Sequence, residues 1–138
     1  MNPRCAIVDE AIDADALRRL VGGDAAGAYV AFEGRVRDHH QGRSVTGLDY
    51  QAHRTLAERE LATILAELHE RFAIVDAACQ HRVGALGVGE VAVVCAVAAA
   101  HREAAFAACR HLIDEVKRRV PIWKREHYPD AGARWIHD

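Results

Sequence analysis

From Thr55 to Phe72 the chain places Ala57, Leu61, Ile64, Leu65, Leu68 and Phe72 at intervals of three and four residues. That spacing lines them along one face of an α-helix, so this face must pack on an apolar surface while the opposite face meets water. Thr55 followed three residues later by Glu58 has the form of a capping box, which sets the expected start of the helix at Thr55. Core packing accounts for the whole apolar face, and no chemistry needs to be assigned to it.

A second helix is expected from about Arg102 to Arg119, because Pro121 removes a donor and pushes Val120 toward extended backbone. On a helical wheel Arg102, Phe106, Cys109, Ile113, Val116 and Val120 fall within about 80° of one another, and Lys117 lies beside Phe106 and Ile113. A shorter helix, capped by Asp13 and carrying Leu17, Leu20 and Val21 on its buried side, stops at Gly22-Gly23. Strands are expected at Cys5 to Val8, Gly27 to Gly34, Val45 to Gln51, Ile74 to Arg82 and Glu90 to Ala99. Arg35 to Arg43 reads as an exposed loop, Val83 to Gly89 as a run of tight bends, and the residues after Pro121 as a short tail. Strands and helices alternate without the regular long crossovers of a doubly wound sheet. The fold class is therefore α+β, a mainly antiparallel sheet with flanking helices. A length of 138 residues fits one domain spanning 1–138.

Charge and composition remove several function classes. A formal net charge of −2 gives no bulk attraction to nucleic acid or to an anionic membrane, so any anion site has to be local. No apolar run approaches the ~20 residues that span a bilayer. The start MNPRCAIVDE lacks the long apolar stretch of a secretion signal, which makes the cytoplasm the expected compartment. Cys5, Cys79, Cys95 and Cys109 form no CxxC pair and stand at no zinc-ligand spacing from a His, so they read as small buried hydrophobes. The glycines of the 83–89 stretch lack the Lys-Ser/Thr ending of a phosphate loop.

Five residues remain as candidates for binding or catalysis. Lys117 borders the apolar stripe, where a lysine can simply lay its methylenes on the core and hold its ammonium in water. Lys124 follows in Pro121-Ile-Trp-Lys124. His101-Arg102 opens the second helix, where backbone amides already favour an anion. Arg37 sits where a strand gives way to a loop, a common place for a binding group but also for an ordinary surface arginine. The neighbours His39-His40 read as solvated loop residues, and no metal is called for. A helix of this length spans about 25 Å at ~1.5 Å per residue, so Arg102 and Lys117 stand at opposite ends of it.

Taken together, Phe32-x-Gly34-x-Val36-Arg37, His81-Arg82-Val83-Gly84, His101-Arg102-x-x-Ala105-Phe106 and Lys117-x-x-x-Pro121-Ile-Trp-Lys124-x-Glu126 resemble the molybdopterin synthase large-subunit family over about residues 27 to 126. The last block is the most specific. The resemblance implies an α/β-hammerhead type of fold and a homodimer within a heterotetramer, each end of which receives a small ubiquitin-like sulfur-carrier subunit. The carrier's thiocarboxylated Gly-Gly terminus would give one sulfur at a time to cyclic pyranopterin monophosphate, two transfers making one dithiolene. It assigns Lys117 and Lys124 to catalysis and Arg37, His101 and Arg102, with both lysines, to substrate binding; no cofactor is implied. Lys117 would act as a general acid/base or as a transient nucleophile, and Lys124 would hold substrate or the carrier carboxylate. Because Arg102 and Lys117 stand a helix length apart, one pocket holding both would require a second subunit or a long substrate, and with the dimer that the resemblance implies the pocket is expected to draw on both protomers.

Two departures from the family pattern stand out. Glu33 puts a carboxylate where a small hydroxyl is common, beside Arg37, and the tail after Trp135 is short. Readings from other classes predict different behaviour: an anion-binding module would bind without turnover, and a docking module for a ubiquitin-like partner would tolerate loss of Lys117.

Overall fold

In a computed structural model, described for residues 1–130 and 132–136, the chain forms two four-stranded sheets, three helices and a small two-stranded ribbon. The first sheet has the order β1 (Cys5–Val8), β6 (Asp76–Arg82), β8 (Val91–Ala99), β2 (Ala28–Arg35). β1 runs parallel to β6, and the other two pairings are antiparallel. The second sheet, β10 (Ala133–Ile136), β9 (Ile122–His127), β5 (Gly47–Ala52), β7 (Gly84–Gly87), is antiparallel throughout. The ribbon pairs β3 (His39–His40) with β4 (Arg43–Ser44). The architecture is α+β with mainly antiparallel sheets, as the alternation of elements predicts.

β8 shows how the first sheet is held. Val93, Cys95 and Val97 point to the face covered by α2 (Arg54–Arg71) and α3 (Arg102–Arg119), while Val94, Ala96 and Ala98 point to the face covered by α1 (Ala14–Leu20). Both faces are covered, so the strand is almost continuously buried. Leu61, Ile64 and Leu68 of α2 and Leu112 and Val116 of α3 complete the larger core. All four cysteines are buried and free.

Several expected details come out differently. α2 begins at Arg54 with His53 as its cap, the ring Nδ1 accepting from the Leu56 amide at 3.3 Å, so Thr55 lies inside the helix and caps nothing. Glu58 is used elsewhere: its carboxylate accepts from the Ile7 amide at 2.9 Å, and Arg54 donates to the Ile7 carbonyl at 3.0 Å. β1 is an edge strand, and these two side chains satisfy the backbone groups that no further strand reaches. The stripe expected on α3 also turns. Its buried face comprises Ala105, Ala108, Cys109, Leu112, Ile113 and Val116, while Arg102 and Phe106 are exposed, because the helix packs on β8 and β2 through the side that carries Ala105 and Leu112, turned away from Phe106. The bends at 83–89 contain β7, the loop at 35–43 contains β3, and the tail folds into β9 and β10. Each of these short strands takes its order from a partner strand rather than from its own residues.

Gly34 permits a close approach at the end of β2, where the register with β8 shifts. A Cβ there would meet Val93 Cγ1 at 2.7 Å and the Phe32 ring at 3.3 Å. Gly34→Ala is expected to lower unfolding free energy by about 1–3 kcal/mol through overpacking, read by urea denaturation. An unchanged midpoint and slope would mean that Val93 moves aside without cost.

Candidate active site

Pro121 has no amide hydrogen, so α3 stops and the chain turns at once into β9. This carries Lys117, in the last turn of α3, and Lys124, on β9, to one cavity of about 660 Å³ where the two sheets meet. Lys124 lies opposite Tyr50 of β5 in the strand register. Arg37, exposed just beyond the end of β2, also lines the cavity. The lining includes six cationic side chains (Arg35, Arg37, Lys117, Arg118, Arg119, Lys124) and two carboxylates (Glu33, Glu126), so the cavity is locally positive on a chain of net charge −2.

Some of that positive charge is already engaged. Arg119 reaches Glu60 at 2.7 Å and Glu67 at 2.6 Å, tying the end of α3 to α2. Arg118 pairs with Glu115 at 2.7 Å, and that contact, with Arg119 adding to it, holds the Glu115 carboxyl down at about 2. Glu33 lies 3.8 Å from Arg35, so its ion pair is with Arg35 where a position beside Arg37 was expected. His40 is no solvated loop residue: it is largely covered, with Nδ1 2.9 Å from the buried Glu126, whose other oxygen accepts from the Tyr128 hydroxyl at 3.0 Å. His39 is exposed and pairs with Asp38 at 2.8 Å.

His101 and Arg102 stand apart. His101 caps α3 without a side-chain hydrogen bond, both residues are exposed, and neither lines the cavity. The structure thus brings Lys117, Lys124 and Arg37 together within one chain and leaves His101 and Arg102 at the other end of an 18-residue helix. Among the described residues, no three His, Cys, Asp or Glu side chains converge as ligands for a metal ion.

One further residue of the cavity, His81, belongs to the His81-Arg82-Val83-Gly84 block but is given no site role by the sequence. Ala77, Cys79 and His81 alternate along β6, and His81 falls on the core-facing side with only 7% of its surface exposed. Its Nδ1 lies 2.8 Å from the Arg82 carbonyl oxygen, and its ring meets Tyr50 edge to face at 4.9 Å. Burial first, and the charges of Lys117 and Lys124 after it, push the imidazole down to about 4 against the hydrogen bond to Arg82, which opposes them.

Fold and cavity define an α+β protein with a positively charged cavity between its two sheets. Residues 7–119 match the family described as MoaE protein. The chain is 46% identical over 110 residues to a molybdopterin synthase catalytic subunit of Thermoplasma volcanium, 80% of each chain being covered. It is 38% identical over 136 residues to molybdopterin synthase catalytic subunit 1 of Mycobacterium tuberculosis, covering 99% of this chain and 92% of the relative. The crystal structure of molybdopterin synthase from Staphylococcus aureus matches it with a TM-score of 0.94 at 33% identity over 100% of both chains. The chain belongs to the MoaE protein family. It is an enzyme of molybdenum cofactor biosynthesis and works in the synthesis of molybdopterin.

The buried imidazole gives stability a pH dependence with a definite sign. Native His81 stays neutral down to about pH 4, whereas the unfolded chain takes up its proton near the ordinary 6.5. Between these values the unfolded state binds more protons, so this contribution is intact above about pH 6.5 and declines as pH falls, by about 3 kcal/mol in the limit. Urea unfolding from pH 7 to pH 4 is expected to lose free energy less steeply in His81→Gln than in wild type; equal slopes would remove His81 from the acid response.

Proposed function

We propose that the cavity holds cyclic pyranopterin monophosphate while a small ubiquitin-like carrier presents its thiocarboxylated Gly-Gly terminus, and that Lys117 works directly on the substrate during two sulfur transfers. The observation that carries this reading is the convergence of Lys117 and Lys124, from consecutive elements, on one positive cavity. A volume of about 660 Å³ is of the size that holds a small organic ligand with a charged group. Each transfer puts one sulfur on a pterin side-chain carbon and leaves the carrier with a carboxylate whose new oxygen comes from water. Lys117 serves as general acid/base or as transient nucleophile, Lys124 holds substrate or the carrier carboxylate, and Arg37 offers a guanidinium fork to the phosphate.

His101 and Arg102 fit this scheme through a second copy of the chain. α3 spans about 27 Å, so they reach a cavity containing Lys117 when a partner protomer lays the start of its α3 there. This supports a homodimer; in our reading one carrier binds at each end to make a heterotetramer, and the complex works in the cytoplasm. No helix among the described residues is long and apolar enough to cross a membrane.

Dithiolene formation with the purified chain, its thiocarboxylated carrier and cyclic pyranopterin monophosphate tests the chemistry. Lys117→Ala is expected to lower product formation at least about 100-fold with carrier binding retained, a loss typical of a missing acid/base group. Product at the wild-type rate from that variant would sink the assignment. The shared site has its own test. Lys117→Ala and Arg102→Ala chains, each inactive alone, are expected to regain about a quarter of wild-type activity when mixed, since half the dimers then carry one intact site of two. No recovery from mixed dimers shown to have formed would place Arg102 outside the site.

A further inference from the structure

Two buried ionisable side chains line the cavity, Glu126 and His81. Glu126 is accounted for by His40 and Tyr128. His81 has no task in the sulfur-transfer scheme, yet its surroundings fix its chemistry closely. A carbonyl oxygen only accepts, so Nδ1, 2.8 Å from the Arg82 oxygen, carries the ring proton and donates it. Nε2 is then the nitrogen with the lone pair. Tyr50, edge to face at 4.9 Å and 66°, sets the plane of the ring. The charged groups that act on the ring come from two further elements, Lys117 on α3 and Lys124 on β9. The cavity therefore contains a neutral acceptor of fixed tautomer and fixed plane in the field of two lysines.

A neutral acceptor differs from the alternatives in a way that matters for an anionic substrate. A carboxylate at this position would pair with an ammonium and cancel the charge that draws the phosphate. An apolar side chain would remove an acceptor from the buried wall. We propose that His81 is a positioning residue for Lys117: its Nε2 accepts a hydrogen bond from the Lys117 ammonium and aims it at the substrate without neutralising the cavity. The proposal rests on the reading of Lys117 as the group that works on the substrate.

The test compares His81→Leu and His81→Gln with wild type in the dithiolene assay and follows the ring nitrogens of the carrier-free chain by 15N NMR. His81→Leu is expected to lower kcat about 10- to 100-fold, the cost of losing a hydrogen bond to a charged group, with KM within about threefold. His81→Gln, whose amide oxygen can stand near the Nε2 position, is expected to stay within about threefold of wild type. In the NMR arm the wild-type ring keeps its proton on Nδ1 between pH 5 and 8, and in folded Lys117→Ala its titration moves upward by about half a unit or more as a neighbouring positive charge is removed. Wild-type kcat from a folded His81→Leu would overturn the proposal. So would a His81→Gln as impaired as Lys117→Ala, or a His81 titration indifferent to Lys117→Ala, and these two outcomes decide the matter if His81→Leu does not fold. A folded wild type that makes no product fails the sulfur-transfer reading instead, while the NMR arm still reports on whether Lys117 acts on the His81 ring.

Discussion

The pairing of β9 with β5 is the interaction on which the site depends. α3 is anchored to the first sheet by Cys109, Leu112, Ile113 and Val116, which fixes Lys117 at its end. Without the pairing, the chain after Pro121 would leave that end with no defined direction. Six residue pairs from Gly47↔His127 to Ala52↔Ile122 give it one, and the register Tyr50↔Lys124 brings the second lysine to the same cavity. The proline contributes by subtraction: it forbids another helical turn, so the two lysines come from two elements that meet at an angle instead of one continuous face.

How much of this was legible in the residues follows from where each element gets its order. β1, α1, α2, α3 and the long strands β6 and β8 carry their own patterns: alternation, three-and-four spacing, a capping Asp13 and a terminating Pro121. β3, β4, β7 and β10 are two to four residues long and, unlike the apolar β1, carry no pattern of their own, so their order comes from a partner strand. The turned face of α3 has the same cause. A wheel shows which residues share a side, but the sheet the helix packs on decides which side is central to the core: Leu112, about 120° round the helix from Phe106, is fully buried while Phe106 stays 62% exposed. The capping box failed because Glu58 had a stronger claim on it, the unpaired amide of edge residue Ile7. Of the site, Lys117, Lys124 and Arg37 were visible as charged groups beside structured elements. His81 stood only as part of the His81-Arg82-Val83-Gly84 block, and its significance depends on the cavity beside it, which no local pattern encodes.

Electrostatics at the cavity is a matter of which cations are already engaged. Arg118 and Arg119 answer to Glu115, Glu60 and Glu67, and those contacts brace the end of α3 against α2. Glu126, the carboxylate buried in the lining, is held by His40 and the Tyr128 hydroxyl, while Arg43 stacks over the Tyr128 ring at 3.7 Å. A buried carboxylate held in this way competes less for the substrate-binding cations than an unpartnered one would. It also pins the β3–β4 ribbon to β9, so the loop that carries Arg37 is attached to the strand that carries Lys124.

The two lysines belong to different layers, and their separation is only as constant as the joint between those layers. The first sheet is packed on both faces; the second presents Trp123 and Trp135 half exposed, with Asp49 tying Arg125 and His127 together. Across the joint, His81 of β6 meets Tyr50 of β5, one ring from each sheet. A change in the angle between the sheets would have to disturb this contact, because both rings are set by their strands and the imidazole is further fixed by its bond to the Arg82 carbonyl. The site is thus kept in shape by an aromatic contact in the wall of the cavity that both lysines line, and a group that both bridges the sheets and accepts hydrogen bonds is better placed than a purely apolar one to hold a charged side chain at their boundary.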